Sequence, residues 1–428
     1  KTAYEITYGD WSSDVCSSDL AQVNYAIPSR MKEGYGINDR IVEEFHQEGV
    51  GLILTVDNGI AAHQPIALAR SLGIEVIITD HHDLPPELPA ATAILNPKLL
   101  REASPYRGLA GVGVAYVLAV SLAQHLQRSQ DFVNAALELF TLGTIADMAP
   151  LVGVNRRWVK RGLARLPHSK VPGIQALIRV AKLEPTDTGS LFRDPSSSQA
   201  LKPDDIGFKL GPRINAIGRI GDPQVVIDLL TTEDWELAQE LAQTCEEANQ
   251  YRRQLCETIE AEAIELCEQQ RSHLEADKVL LVVRSGWHHG VIGIVASRLV
   301  ERYGVPVFIA TPEDDDRIRG SARGIPEFHV FEALEYCKEC LERHGGHRAA
   351  GGFSLATENL GVFRQRLIEF ANRALTPQHL KPLITLDGEA TFQDLNWDLY
   401  YQIDSLHPWG IENPEPIFSI GNLRVLDQ

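Results

Sequence analysis

The chain is short of positive charge, of paired cysteines and of long apolar runs, and each shortage removes a class of function. Lys and Arg number 40 against 58 Asp and Glu, a formal net charge of −18. A protein that coats nucleic acid through bulk electrostatics needs a positive surface, so any polyanion site here is local. Part of the acid excess lies between Glu233 and Glu275 and reads as a solvated helix face. Six cysteines in 428 residues make no disulfide framework, and Cys245, Cys256 and Cys267 are spaced as positions along one helix. They read as buried thiols in a reducing compartment. Cys337-Lys-Glu-Cys340 has metal-knuckle spacing but lies in a helical pattern with no second pair, so a zinc site is not expected there. No apolar run approaches the roughly 18 to 20 residues that cross a bilayer, and no charged-apolar-small segment opens the chain. The expectation is a cytoplasmic protein with no membrane association.

What is present is an ordinary globular composition, 44% hydrophobic and 23% charged, on a chain long enough for two or three domains. Residues 1–20 stand apart. Ser12-Ser13-Asp14-Val15-Cys16-Ser17-Ser18-Asp19 repeats a Ser-Ser-Asp unit with neither strand nor helix period, and reads as a translated sequencing adapter joined to a truncated frame. From Ala21 the pattern is regular: a strand near Gln22 to Ile27, a helix near Asn38 to Glu48, a strand at Val50 to Val56, a helix at Gln64 to Leu72 and a strand ending at Thr79. Strands alternating with helical patterns indicate an α/β fold with a parallel sheet. Helices follow at Gly111 to Gln127, Asp131 to Leu142 and Arg157 to Leu166, then a loop at Pro185 to Asp204. A long connecting helix spans Asp234 to about Leu274, where Gly and Pro are missing. A second α/β unit carries strands at Val279 to Val283, Val305 to Ala310 and Ile318 to Arg323. Its helices lie at Val291 to Tyr303, Val330 to Arg343 and Leu360 to Ala374. The residues from Pro377 alternate as β-structure and read as the start of a barrel.

Chemistry concentrates at element ends, where open α/β sheets place it. The run Glu75 to Thr79 delivers Asp80-His81-His82, the run Val50 to Val56 delivers Asp57-Asn58-Gly59, and a helical stretch ends in Ala146-Asp147-Met148. Singly, each has an ordinary structural reading: Asp57 shaping a turn, Asp80 capping a helix, the histidines in routine hydrogen bonds. Together they are the hard oxygen and imidazole donors that a divalent pair needs, with histidine favouring Mn²⁺ over Mg²⁺. Asp57 is the candidate bridging ligand, on the middle strand, with His81 and Asp147 completing one ion's shell. Such a pair activates water and neutralises charge on a phosphodiester.

The ordered series Thr55-Val-Asp57-Asn-Gly59, Thr79-Asp-His-His82, Leu84-Pro-Pro86, Asn96-Pro97-Lys98, Leu109-Ala-Gly-Val-Gly113, Gly143-Thr-Ile-Ala-Asp147 and Pro150-Leu-Val152 resembles the DHH phosphoesterases of the RecJ exonuclease type. It continues through Gly207-Phe208, Gly211-Pro-Arg-Ile-Asn215 and Gly218-Arg219. The companion DHHA1 domain is matched by Gly286-Trp-His-His-Gly-Val-Ile-Gly293, Ser297-Arg298, Gly320-Ser-Ala-Arg323 and Gly345-Gly-His347. The resemblance implies a DHH domain at 21–230, a long helix at 231–275, a smaller α/β DHHA1 domain at 276–376 and the start of an OB-like barrel at 377–428. It implies 5′-to-3′ degradation of single-stranded DNA to mononucleotides in repair and recombination, with Mn²⁺ or Mg²⁺. Asp57, His81 and Asp147 then resemble metal ligands and His82 a phosphate contact in the transition state, with Asp80 orienting its neighbours. Arg213, Asn215, Arg219, His288, Ser321, Arg323, Gly345, Gly346 and His347 are the expected substrate contacts. Trp287 next to His288 could stack on a base, although a large aromatic at a strand end is more often core, while Trp397 and Trp409 offer a further single-strand surface. Single-strand-binding protein and a helicase are the expected partners, and a monomer the expected state.

One departure is visible. The family's Asp-x-Asp-Gly cluster belongs just upstream of Gln22, where the Ser-Ser-Asp segment stands, so the chain as written is expected to bind metal weakly and cleave poorly. Two rivals remain: phosphodiesterases for short oligonucleotides or cyclic dinucleotides, which share the Asp-His-His and Gly-Gly-His features, and a non-enzymatic DHH replication scaffold, in which degenerate metal positions such as the missing first motif are expected. The segment beyond Pro377 argues against the first, and the retention of Asp57, His81, His82 and Asp147 against the second.

Overall fold

The computed structural model describes residues 23–28, 36–127, 130–183, 200–313, 316–381 and 383–421. The chain divides into two units, one within 1–249 and 386–428, the other within 250–385. Residues 1–20, with their reading as non-native, lie outside the described residues, as do most of the expected loop at 185–204 and Gln22 of the expected first strand.

In the first unit, α1 (Asp39–Gln47) is capped by the Asn38 side chain, which accepts from the Ile41 N–H at 3.1 Å. The chain then runs through β1 (Leu52–Val56), α2 (His63–Ser71), β2 (Glu75–Thr79) and β3 (Ala93–Leu95). The strands form one parallel sheet in the order β1-β2-β3, with Val42, Ile53, Ile66, Val76 and Ile78 packed as its core. Residues 23–28 adopt no strand, so among the described residues β1 is an edge and β2 the middle strand, a correction to the placement of Asp57. The three-residue β3 escaped the sequence reading because Ala93-Ile-Leu95 is too short to show a period. The register sets Val56 beside Thr79 and Thr79 beside Leu95. Asp57, Asp80 and Asn96 therefore leave the same sheet edge side by side.

Helices α3 (Gly111–His125), α4 (Gln130–Ala146), α5 (Gly153–Arg165) and α6 (Pro172–Val180) follow, then a π-helical turn, Asp205–Leu210, and α7 (Gly211–Ile220) and α8 (Gln224–Thr231). Their core includes Phe140, Leu166, Ile174, Leu177, Ile206 and Ile217. Helix α4 runs four residues past the expected Leu142, and Gly211 to Ile220 form the short helix α7. Helix α9 (Trp235–Gln270) is the predicted long helix.

The second unit contains α10 (Leu274–Asp277), β4 (Leu280–Val283), α11 (His289–Tyr303), β5 (Val307–Pro312), β6 (Arg317–Arg323), α12 (Val330–Tyr336), β7 (Arg343–Gly346), β8 (Ala350–Ala356) and α13 (Leu360–Ala374). Its sheet runs β4-β5-β6-β8-β7, parallel for the first pair and antiparallel beyond. The helix expected to reach Arg343 ends at Tyr336, since the chain turns there to supply β7. Trp287 is buried, its indole donating to Glu262 Oε2 at 2.7 Å.

The C-terminal residues depart most from expectation. After Pro377 the described chain holds a helix, α14 (Trp397–Ser405), and a two-residue parallel pair, β9 (Gly388–Glu389) with β10 (Phe418–Ser419). Trp397, Tyr400 and Tyr401 cluster on α14 in ring contact and stay exposed. The α14 end is held on α5, where Lys160 Nζ donates to Ser405 O at 2.9 Å and Arg156 Nη2 donates to Leu406 O. Among the described residues no helix is long and apolar enough to cross a membrane.

Candidate metal centre

Two strand tips and one helix end build the site. Beyond β1, Asp57 takes a left-handed backbone, φ 61°, and its N–H donates to Thr79 O at 2.9 Å. That conformation is costly for a residue with a side chain, and the turn around it is held tightly. Thr55 Oγ1 donates to Asn58 O at 2.8 Å and Asn58 Nδ2 to Val56 O at 2.9 Å. Beyond β2, Asp80 is 1% exposed and works inward. Its Oδ2 accepts from the Ile60 N–H at 3.0 Å. Its Oδ1 accepts from the His81 and His82 N–H groups at 2.7 and 3.1 Å and from His82 Nδ1 at 2.6 Å. Burial by itself pushes the Asp80 carboxyl up. The bonds from the His82 ring and the Ile60 and His82 amides outweigh it and hold the group below the ordinary aspartate value.

His81 Nε2 faces outward from this scaffold, 3.0 Å from Asp57 Oδ1 and 3.8 Å from Asp147 Oδ2, at the end of α4. The 3.0 Å separation is of ion-pair length, yet the buried Nε2 atom makes no hydrogen bond of acceptable geometry. The two groups stand close with no hydrogen bond between them, and a carboxylate and an imidazole are both donor types that a divalent cation takes. Donor atoms of Asp57, His81 and His82 all lie within 4.8 Å of one another. The structure therefore brings together all four residues picked from the sequence, and it adds that His82 stands close enough to be a ligand as well.

The expected substrate contacts divide. In the second unit, Ser321 on β6 pairs with Gly352, which pairs in turn with Gly345, while Arg323 pairs with Ala350 and Gly346 with Gly351. Ser321, Arg323, Gly345 and Gly346 thus occupy one end of three adjoining strands. Gly293 of α11 lies against them: a Cβ there would fall 2.9 Å from Arg323 Nη2 and 3.4 Å from Ser321 Oγ. His288 caps α11, its Nδ1 accepting from the Gly290 N–H at 3.1 Å. His347 is exposed at the turn between β7 and β8. The Arg323 guanidinium is largely enclosed, and that desolvation lowers its pKa. In the first unit, Asn215 and Arg219 are half-exposed on α7. Arg213 is not available in the same way: it is 7% exposed, with Nε 2.6 Å from Glu246 Oε2 and Nη1 donating to Lys209 O at 2.6 Å. Its guanidinium is turned inward to a carboxylate on α9, which the sequence spacing could not reveal.

Comparison with known proteins follows the same division. The DHH family, N-terminal domain, matches residues 7–144, the DHHA1 domain 276–373 and the RecJ OB domain 386–428. The single-stranded-DNA-specific exonuclease RecJ of Escherichia coli is 36% identical over 449 aligned residues, covering 99% of this chain and 75% of that protein. The chain belongs to the RecJ family. RecJ of Bacillus subtilis is 37% identical over 98% of this chain and 52% of its own length. Among solved structures, RecJ from Thermus thermophilus in complex with Mn²⁺ superposes with a TM-score of 0.77 at 30% identity, covering 90% of this chain and 54% of that one. The same protein in complex with Mg²⁺ gives 0.67 at 27% identity, covering 89% of this chain and 58% of that one. The chain thus spans about half the length of the Bacillus and Thermus RecJ proteins. The DHH match begins inside the segment set apart at 1–20, and the OB match bears out the OB-like assignment of the C-terminal residues, a stretch that also holds α14.

The RecJ structures carry Mn²⁺ or Mg²⁺, and the donors here fit either ion. Carboxylates suit both, a neutral imidazole leans toward Mn²⁺, and the buried His81 Nε2 atom has no hydrogen bond that a cation would have to displace.

Proposed function

We propose that this chain hydrolyses single-stranded DNA from its 5′ end to mononucleotides, in repair and recombination, using Mn²⁺ or Mg²⁺ held by Asp57, His81 and Asp147. The observation that carries the reading is the convergence of the Asp57 and Asp147 carboxylates on His81 Nε2, at 3.0 and 3.8 Å, in a chain of the RecJ family. When bound, the ions lower the pKa of a water and take up negative charge on the phosphodiester. The protein's own part is placement. Asp57 offers a carboxylate between the two strand tips, and Asp80 fixes the His82 ring through Nδ1, so its Nε2 edge is the one left to meet a non-bridging phosphate oxygen.

In the second unit, Ser321, Arg323 and His288 supply donors, while Gly345 and Gly346 let the backbone approach a phosphodiester closely. Asn215 and Arg219 extend the phosphate contacts in the first unit. Arg213, spent on Glu246, holds α7 to α9 instead. In this reading the chain acts as a cytoplasmic monomer on strands opened by a helicase and covered by single-strand-binding protein. Because Ser-Ser-Asp stands where the family has Asp-x-Asp-Gly, the shell of one ion is thin, and cleavage by this chain is slow.

The test is a millimolar Mn²⁺ titration of the full chain and of Asp57→Ala, followed by thermal midpoint and by release of mononucleotides from single-stranded and duplex DNA. The parent should be stabilised by Mn²⁺ and release product from single strands alone, and Asp57→Ala should do neither. Equal Mn²⁺ responses in the two proteins would refute the site.

A further inference from the structure

Gly111 opens α3 inside the Leu109-Ala-Gly-Val-Gly113 motif, to which nothing above gives a role. It is buried, and Ala110 before it supplies no side-chain cap. A Cβ built on Gly111 would lie 2.7 Å from Asp57 Cγ and 2.8 Å from Asp57 Cβ, and would overlap Asp57 Oδ1 outright. That Oδ1 is the same atom that stands 3.0 Å from His81 Nε2. The carboxylate of the central ligand therefore occupies the space a side chain at 111 would fill. The Asp57 backbone is already committed to a left-handed conformation, so the residue has little freedom to retreat.

We propose that Gly111 is a positioning residue for Asp57: the missing Cβ lets the first turn of α3 close on the carboxylate and fixes which way Oδ1 faces. The first turn of a helix carries a positive end that favours an anion at that place. An apolar wall would leave the carboxylate to turn toward solvent. The backbone of α3 thus orients a metal ligand that belongs to a strand 54 residues earlier. The role rests on the metal-binding reading above and extends it to a residue with no ligand atom of its own.

Carbon atoms pack at about 3.5–4.0 Å, so Gly111→Ala must move the Asp57 carboxylate by about 1 Å. Displacements and second-sphere losses of that order cost roughly 10- to 100-fold in metal affinity or activity. Gly113→Ala is the matched control. Its Cβ would meet Leu109 Cδ2 at 2.8 Å and Phe140 Cε2 at 3.3 Å, a milder crowding in the same turn, against core side chains rather than the ligand. The full chain, Gly111→Ala, Gly113→Ala and Asp57→Ala are each melted without metal and across a millimolar Mn²⁺ series, and kcat and KM are measured on single-stranded DNA where turnover permits.

The expected result is a cooperative metal-free transition for both glycine variants, a Mn²⁺ response displaced to about 10-fold or more higher concentration in Gly111→Ala alone, and a fall in kcat with KM little changed. A Gly111→Ala protein that responds to Mn²⁺ like the parent, while Asp57→Ala does not respond, overturns the positioning role and leaves the function standing. Parent and Asp57→Ala responding alike overturns both.

Discussion

Asp80→Asn isolates the scaffold behind the ligands. The Asp80 carboxylate is 1% exposed and accepts from Ile60, from the His81 and His82 amides and from the His82 ring. An asparagine has one acceptor oxygen. If that oxygen keeps the place of Oδ1, the new NH₂ group confronts the Ile60 N–H, and two buried donors lose their partners. The opposite rotamer is worse, since the NH₂ group then faces three donors. Each orphaned buried donor costs about 1–3 kcal/mol, so the better rotamer loses about 2–6 kcal/mol. That is a large share of an ordinary domain's stability, and at roughly 2–4 °C per kcal/mol the midpoint of the first unit should fall by roughly 5–20 °C. Differential scanning calorimetry without metal measures it. Asp83→Asn, which breaks an exposed pair with Lys98, serves as the reference and should shift stability by no more than about 1 kcal/mol. An Asp80→Asn protein melting within the scatter of Asp83→Asn would refute the account of Asp80 as the fixed support of both histidines.

Burial pushes the Cys245, Cys267 and Cys337 thiols up to about 12, so these three should resist a thiol reagent at pH 8 until the chain unfolds; fast labelling of the native protein at any of them would contradict this. Burial likewise raises the Glu138 carboxyl, against the Ser169 hydroxyl and Arg165, so Glu138 contributes stability that is full below the ordinary carboxylate range and is lost as pH rises through its raised value. The midpoint of Glu138→Gln relative to the parent should therefore climb between pH 4 and pH 7, and a constant difference would show the shift to be wrong. Removing two of the donors that hold α14, in Arg156→Ala with Lys160→Ala, should speed amide exchange across 397–406 several-fold without altering exchange in β1 or β2. Unchanged protection of α14 would place its anchorage elsewhere.

The local composition of this chain settles a good deal. Apolar runs such as Glu75 to Thr79 identify buried strands, the gap in Gly and Pro after Asp234 identifies α9, and the polar residues at element ends identify Asp57, His81, His82 and Asp147. Those features are visible because strand burial and helix period act on neighbouring residues. The sequence could not show that Arg213 turns inward to Glu246, nor that the stretch beyond Pro377 makes a helix anchored on α5, because each depends on partners far along the chain. Above all, it could not show that the first residue of α3 lies against Asp57. Fifty-four positions separate that glycine from the carboxylate, and only packing α3 against the tip of β1 turns a missing side chain into a wall against the Asp57 carboxylate.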